Sequence, residues 1–120
     1  MLLGDLREHV LEANLELVRR GLVLYTFGNT IGISRKDKFV AIKPSGVPYE
    51  KLTASQIIFC DLHRKVIEGN VRSSSDLATH LELYKHFPNV GGVTHTHSEF
   101  ATWWAERAIP CFGTTHADLV

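Results

Sequence analysis

The spacing of apolar residues predicts a helix at the start of the chain. Up to residue 18, apolar side chains recur at intervals of three or four residues, which places them along one helical face. They are Leu3, Leu6, Val10, Ala13, Leu17 and Val18. Acidic residues come early and arginines late in this segment, as the helix dipole favours, and Gly21 follows as a natural C-terminal stop.

Short apolar runs between turn residues predict strands along the rest of the chain. The predicted strands cover residues 22–27, 30–34, 39–43, 57–62, 66–68, 92–97 and 109–112. Helical spacing returns at 77–87 and at 99–107, where Ser98 can cap the helix, and Thr53 and Gln56 fit a capping box that opens a short helical turn. Because strands and helices interleave unevenly, we predict an α/β sandwich whose sheet is at least partly antiparallel.

Composition restricts the classes of function that the chain can have. Its 120 residues suit one domain, and 13 basic residues balance 13 acidic ones. This balance offers no general attraction to nucleic acid or to an anionic membrane, so any anion site must be local. No apolar run approaches membrane-spanning length, and Cys60 and Cys111 are typical of buried, reduced thiols. We therefore expect a cytoplasmic protein.

Two histidines in the predicted strand 92–97 indicate a metal site. Side chains two positions apart on a strand share a face, so His95 and His97 point the same way and can hold one ion. Asp76 supplies a possible carboxylate ligand, although an acid near a helix start also simply complements the dipole. Two imidazoles, an acid and room for further ligands suit zinc in an open, catalytic site.

Three loops of small or polar residues suit an anion. Each follows a predicted strand or precedes a predicted helix, where glycines allow close backbone approach and free N–H groups favour phosphate. Their residues are Gly28, Asn29, Lys43, Ser45, Gly46, Ser74 and Ser75. Any one of these loops alone is typical of an ordinary turn or cap. Asp118 lies in a polar loop, either as a solvated charge or as a general acid/base, whereas His9, His63, His80 and His86 are predicted to be surface or packing residues.

Five ordered segments resemble the L-ribulose-5-phosphate 4-epimerases of the class II aldolase/adducin family. They are Thr26-Phe27-Gly28-Asn29, Ile42-Lys43-Pro44-Ser45-Gly46, Ser74-Ser75-Asp76, His95-Thr96-His97-Ser98 and Gly113-Thr114-Thr115-His116-Ala117-Asp118. The resemblance implies a layered sandwich with a central, largely antiparallel sheet flanked by helices. It also implies a retro-aldol reaction on a sugar phosphate, assisted by one Zn²⁺ per subunit.

The resemblance further implies a role for each matched residue. Asp76, His95 and His97 match the family's metal ligands, and Asp118 matches one of two acid/base groups. The seven residues of the three loops match segments that hold the substrate phosphate. In this interpretation residues 1–120 are the N-terminal portion of a single domain, the third histidine ligand and the second acid/base lie outside the chain, and the complete protein is a homotetramer.

Two alternatives stay open. In a class II aldolase of the fuculose-phosphate type, the acid after Ser-Ser is typically a glutamate that acts as a base, so Asp76 favours the epimerase. The run that ends in Asp118 favours it too. An adducin-head-like module without catalysis lacks the metal histidines, whereas His95 and His97 are present here. Trp103 and Trp104 on the last predicted helix are expected in the core or at a subunit contact.

Overall fold

The computed structural model describes residues 3–69 and 72–107. Within these ranges the chain forms three helices and one five-stranded sheet. The helices are α1 (Gly4–Arg19), α2 (Leu77–His86) and α3 (Glu99–Glu106). The strands are β1 (Asn29–Ser34), β2 (Phe39–Ile42), β3 (Ile58–Asp61), β4 (Val66–Glu68) and β5 (Gly92–His95), and two 3₁₀ turns cover Tyr49–Lys51 and Ala54–Gln56.

Every strand pairing in the sheet is antiparallel, in the order β4-β3-β2-β1-β5. Strand side chains alternate between two faces, and each face has its own apolar core. One face packs Ile31, Val40 and Ile58 against Leu81 and Tyr84 of α2. The other face places Ala41 and Phe59 against α1 and the 3₁₀ turns. The predicted α/β layered sandwich is therefore confirmed.

Helix α1 buries two polar side chains among its apolar ones. Its buried residues are Arg7, Val10, Asn14 and Leu17. Arg7 donates to the carbonyls of Ala54 and Ile57 at 3.0 and 2.7 Å, and its Nη2 pairs with Glu68 at 2.8 Å. The guanidinium thereby connects α1 to the segment before β3 and to the edge strand β4. Val18, predicted on the apolar face, is exposed instead.

Most predicted elements are found with nearly the predicted bounds. The hairpin of β3 and β4, the Thr53–Gln56 capping box and the Ser98 cap are all present. Strand β5 ends at His95, two residues earlier than predicted. The predicted strand 109–112 lies outside the described residues.

The strand predicted at residues 22–27 is wrong. Gly21 has φ +65°, and the N–H of Leu22 returns to the carbonyl of Leu17 at 2.9 Å, so the chain turns sharply at the helix end. A second turn follows, in which the N–H of Phe27 bonds the carbonyl of Leu24 at 3.0 Å. These two turns occupy the segment, which is not part of the described sheet. In the described part of the chain, none of the helices has the length and apolar character needed to cross a membrane.

Candidate functional site

A cleft of about 350 Å³ opens where β1 begins and β2 ends. All seven residues predicted for the anion site line it: Gly28, Asn29, Lys43, Ser45, Gly46, Ser74 and Ser75. Asp76 and His97 line it as well, whereas His95 lines a neighbouring pocket between α2 and β5. The fold thus brings together three loops that lie far apart in sequence.

Backbone hydrogen bonds hold two of these loops side by side. The N–H of Ser45 donates to the carbonyl of Arg72 at 2.9 Å, and Pro44 forms a bridge with Ser73. Ser74 and Ser75 lie just before Asp76, the N-cap of α2, at the end of the helix where N–H groups have no partner within the helix. The cleft therefore combines hydroxyl groups with the positive end of a helix dipole.

Gly28 allows the third loop to pack closely against the end of β5. Its φ is +75°, and a Cβ there would lie 2.8 Å from the carbonyl oxygen of His95 and 2.7 Å from Val23. The Tyr49 hydroxyl donates to the carbonyls of Phe27 and Gly28, at 3.0 and 2.8 Å. Burial raises the pKa of Tyr49 to about 12. This loop is consequently held by its backbone, close against the end of β5.

Lys43 is a buried cation at the cleft. Its residue is 2% exposed, its Nζ donates to the carbonyl of Pro44 at 3.3 Å, and the ammonium lies 4.8 Å from the ring centroid of Tyr49. It forms no salt bridge with any residue of 3–69 or 72–107. Burial lowers the pKa of Lys43 because the charged form is desolvated. An anion in the cleft would relieve this cost.

Asp76 is the centre of a hydrogen-bond network. Its Oδ2 accepts from Nδ2 of Asn29 at 2.7 Å and from Ser74 at 3.2 Å, and it lies 2.9 Å from Nδ1 of His95. Burial alone raises the pKa of Asp76, but the hydrogen bonds from His95, Asn29 and Ser74 outweigh it and hold the pKa below its ordinary value. The carboxylate is therefore ionised at neutral pH.

The two predicted histidine ligands are neighbours. The rings of His95 and His97 have centroids 4.8 Å apart, and His97 stacks on Phe27 at 5.4 Å with an interplanar angle of 7°. Among the described residues, however, no group of three or more His, Cys, Asp or Glu side chains has the arrangement of a metal site. The donor chemistry nevertheless fits a divalent metal. A carboxylate and two imidazoles are common ligands of such an ion, and Oδ2 of Asp76 lies 2.9 Å from Nδ1 of His95.

His80 is a site residue that the sequence analysis missed. It is 2% exposed, and its Nε2 lies 2.8 Å from Oδ1 of Asn29. Burial lowers the pKa of His80, which favours the neutral ring. Its spacing from Leu77, Leu81 and Tyr84 places it on the buried face of α2, and this was the available signal. The packing role predicted for it is correct but incomplete.

Other predicted residues lie away from the described cleft. Asp118 and Cys111 fall outside the described residues. Cys60 is a buried free thiol, as predicted, and burial raises its pKa. His9, His63 and His86 are exposed, also as predicted.

Solved structures similar to this chain include several sugar-phosphate aldolases. An L-fuculose 1-phosphate aldolase matches with TM-score 0.84 and 27% identity, over 92% of this chain and 52% of that one. The L-fuculose 1-phosphate aldolase from Glaciozyma antarctica matches with TM-score 0.72 and 22% identity, over 93% and 47% of the two chains. The enzyme of the same name from Thermus thermophilus matches with TM-score 0.65 and 23% identity, over 88% and 52%. At identities below 25%, the last two show the fold alone.

The family comparison covers nearly the whole chain. The family described as "Class II Aldolase and Adducin N-terminal domain" matches residues 8–120. The chain spans about half the length of the solved structures described above. With the antiparallel sheet and the converging loops, this match establishes that the chain belongs to the class II aldolase and adducin family.

Proposed function

We propose that the chain belongs to an enzyme that breaks and re-forms a carbon–carbon bond of a phosphorylated ketose, as an L-ribulose-5-phosphate 4-epimerase. The observation that carries this proposal is the buried ammonium of Lys43 at a cleft lined by serines and glycines. A buried cation is costly unless an anion compensates it. A substrate phosphate supplies that anion.

The cleft residues divide the work of binding phosphate. Lys43 neutralises charge, and the hydroxyl groups of Ser45 and Ser75 donate hydrogen bonds. Ser74, whose hydroxyl donates to Asp76, lines the cleft beside them. The backbone at Gly28 and Gly46 has positive φ, which lets N–H groups approach the anion without a side chain between them. A phosphate anchored here keeps both fragments of a cleaved ketose in place until the bond re-forms.

Asp76, His95 and His97 are the proposed ligands of a divalent metal, with zinc as the expected ion. When bound, the metal acts as a Lewis acid that polarises the ketose carbonyl. The chain's own residues orient this centre. Asp76 lies 2.9 Å from Nδ1 of His95, so these two proposed ligands are already side by side, and Phe27 supports the His97 ring by stacking. Asp118 is proposed to exchange a proton with the substrate hydroxyl at C4.

The contacts of Asp76 favour the epimerase over an aldolase. A carboxylate that acts as the base must reach the substrate, whereas Oδ2 of Asp76 is engaged by Asn29, Ser74 and His95. The second candidate is a fuculose-phosphate type aldolase, which the 27% identity to an L-fuculose 1-phosphate aldolase favours. The two candidates share the phosphate and metal sites and differ in the fate of the fragments.

Phosphorus NMR distinguishes the two candidates. The chain is incubated with Zn²⁺ and either L-ribulose 5-phosphate or L-fuculose 1-phosphate. A growing D-xylulose 5-phosphate signal supports the epimerase, and dihydroxyacetone phosphate from the second substrate supports the aldolase. If neither forms, the test is repeated with a longer protein that includes the predicted third histidine ligand and second acid/base. The non-catalytic module is the correct interpretation if that protein also forms neither product and fails to bind inorganic phosphate and Zn²⁺. His97→Ala removes a proposed ligand, and His86→Ala is the matched control because His86 is exposed on α2.

A homotetramer and a cytoplasmic location accompany this proposal as predictions. So does a role for residues 1–120 as the N-terminal portion of a longer single domain. The proposal requires no nucleic acid or membrane partner, since the ligand is a small phosphorylated sugar.

A further inference from the structure

His80 occupies a position where an apolar residue would serve packing alone. Its helix-face neighbours Leu77, Leu81 and Tyr84 are all buried, and they pack in the core beneath the sheet. The ring's Nδ1 is buried without a hydrogen-bond partner among the described residues. Burying such a nitrogen is unfavourable. The compensating contact is the one from Nε2 to Asn29 at 2.8 Å.

The network determines which atom donates in each contact. The ionised Asp76 carboxylate only accepts, so the atom of Asn29 that faces it, 2.7 Å away, is the amide nitrogen. The carbonyl oxygen of Asn29 therefore faces His80, and that oxygen also only accepts. Nε2 of His80 must carry the proton. Hydrogen-bond donation thus runs in one direction, from His80 to Asn29 and from Asn29 to Asp76.

We propose that His80 is a positioning residue for the metal and phosphate site. By donating to Asn29, it holds the amide so that the NH₂ group faces Asp76 and Ser74, at 2.7 and 3.3 Å. Asp76 in turn meets Nδ1 of His95. This relay of hydrogen bonds connects His80 to His95, and the consequence for ligand binding rests on the function proposed above.

Loss of the His80 proton donor releases the Asn29 amide. Without it, the amide can rotate, and Asp76 loses its shortest hydrogen bond. Residues that orient metal ligands in this way typically affect metal affinity by about 10- to 100-fold. Since Asn29 and Ser74 both line the cleft, phosphate affinity should fall together with metal affinity.

Three variants test the inference. His80→Phe keeps a planar apolar ring and removes the donor, whereas His80→Gln restores an N–H at a similar reach. His86→Phe, on the exposed side of the same helix, is the matched control. Zn²⁺ and inorganic phosphate are titrated separately, and urea unfolding verifies that each variant is folded. We expect His80→Phe to weaken both ligands by about 10-fold or more, and His80→Gln to recover most of that loss.

Nitrogen-15 NMR provides a readout that does not depend on ligands. We expect the imidazole of His80 to show the Nε2–H tautomer, and the side-chain amide signals of Asn29 to shift in His80→Phe but not in His86→Phe. An Nδ1–H tautomer, or unchanged Asn29 signals in His80→Phe, overturns the inference. Wild-type affinities in a folded His80→Phe overturn it too. If the wild type binds neither Zn²⁺ nor phosphate, the proposed function fails, and the NMR result alone then decides the role of His80.

Discussion

Lys43 is expected to lower the stability of the fold and to strengthen the binding of an anion. Its side chain is covered by the protein and contacts the Tyr49 ring and the Pro44 carbonyl. Burial lowers the pKa of Lys43, because solvent no longer stabilises the charged form of the side chain. Binding sites commonly retain groups of this kind at the expense of stability.

We expect Lys43→Met to bind phosphate more weakly and to fold more stably. Hydrogen bonds to charged groups contribute about 1.5 to 3 kcal/mol, so phosphate affinity should fall about 10- to 100-fold. The free energy of unfolding should rise by about 1 kcal/mol, because a buried charge is removed while the aliphatic stem is kept. Isothermal titration calorimetry and urea unfolding measure the two effects. Lys36→Met, in the exposed turn after β1, is the control, and equal phosphate affinity in both variants would contradict the proposal.

Two buried tyrosines predict a loss of stability at high pH. Burial raises the pKa of both Tyr49 and Tyr84 to about 12, and each hydroxyl donates to a backbone carbonyl of the sheet region. In the unfolded chain these groups titrate near pH 10. Their contribution is therefore complete below about pH 10 and is lost as the pH rises toward 12.

We expect the free energy of unfolding to fall between about pH 10 and 12, and to fall less steeply in Tyr49→Phe. Phenylalanine cannot ionise, so of the two buried tyrosines only Tyr84 still contributes to the pH dependence of stability. Urea unfolding at a series of pH values measures the slope. Tyr25→Phe is the control because Tyr25 is 85% exposed. A Tyr49→Phe slope equal to that of the control would show that Tyr49 ionises as readily in the folded protein as in the unfolded chain.

At the scale of elements, Asn14 couples α1 to the strand that carries the site. The ladder between β1 and β2 runs from Gly32↔Ala41 to Ser34↔Phe39, so Thr30 lies beyond it. Asn14 takes the place of the missing strand partner. Its Oδ1 accepts from the Thr30 N–H at 3.0 Å, and its Nδ2 donates to the Thr30 carbonyl at 2.7 Å. The two strands can thereby separate, with Asn29 on one side of the cleft and Lys43 on the other.

We expect Asn14→Ala to destabilise the fold by about 2 to 4 kcal/mol, because the backbone N–H and carbonyl of Thr30 both lose the side chain that bonds them. Urea unfolding gives the change in free energy. Glu8→Ala, at an exposed position of the same helix, should change the stability by less than about 0.5 kcal/mol. Similar stabilities for the two variants would mean that water replaces Asn14 at no cost.

Helix α3 matters at the scale of the whole molecule. None of its residues is buried, although it carries Phe100 at 75% exposure, Trp103 at 46% and Trp104 at 40%. Trp103 and Trp104 lie three and four positions after Phe100, so both lie on the same side of the helix as Phe100. The core role considered for the two tryptophans does not hold within the described residues, and the subunit contact stays a prediction.

For the complete protein, we expect light scattering to give four times the mass of one subunit, and Trp103→Glu to lower it. A charge on the apolar face would have to be desolvated at an interface. Thr102→Glu, on the opposite face of α3, should leave the mass unchanged. A mass of one subunit for the complete wild-type protein would contradict the homotetramer prediction.

Local patterns in the sequence were sufficient to locate the periodic elements and the residue types of the cleft. The period of apolar residues located α1 and α2, and turn chemistry separated β1 from β2, because these signals are local. The residue types of the three loops indicated an anion site for the same reason. The assignment of residues 22–27 failed because a run of apolar residues does not distinguish a strand from two successive turns.

The contacts between residues distant in sequence became known only from the tertiary structure. It placed Lys43 under the Tyr49 ring and connected His80 to Asp76 through Asn29, across separations in sequence that no period encodes. Polar residues on buried helix faces, such as Asn14 and His80, were visible as exceptions in the pattern, but their partners were not. Periodicity reports which side of an element is covered, whereas a hydrogen-bond network depends on distances between elements that only folding establishes.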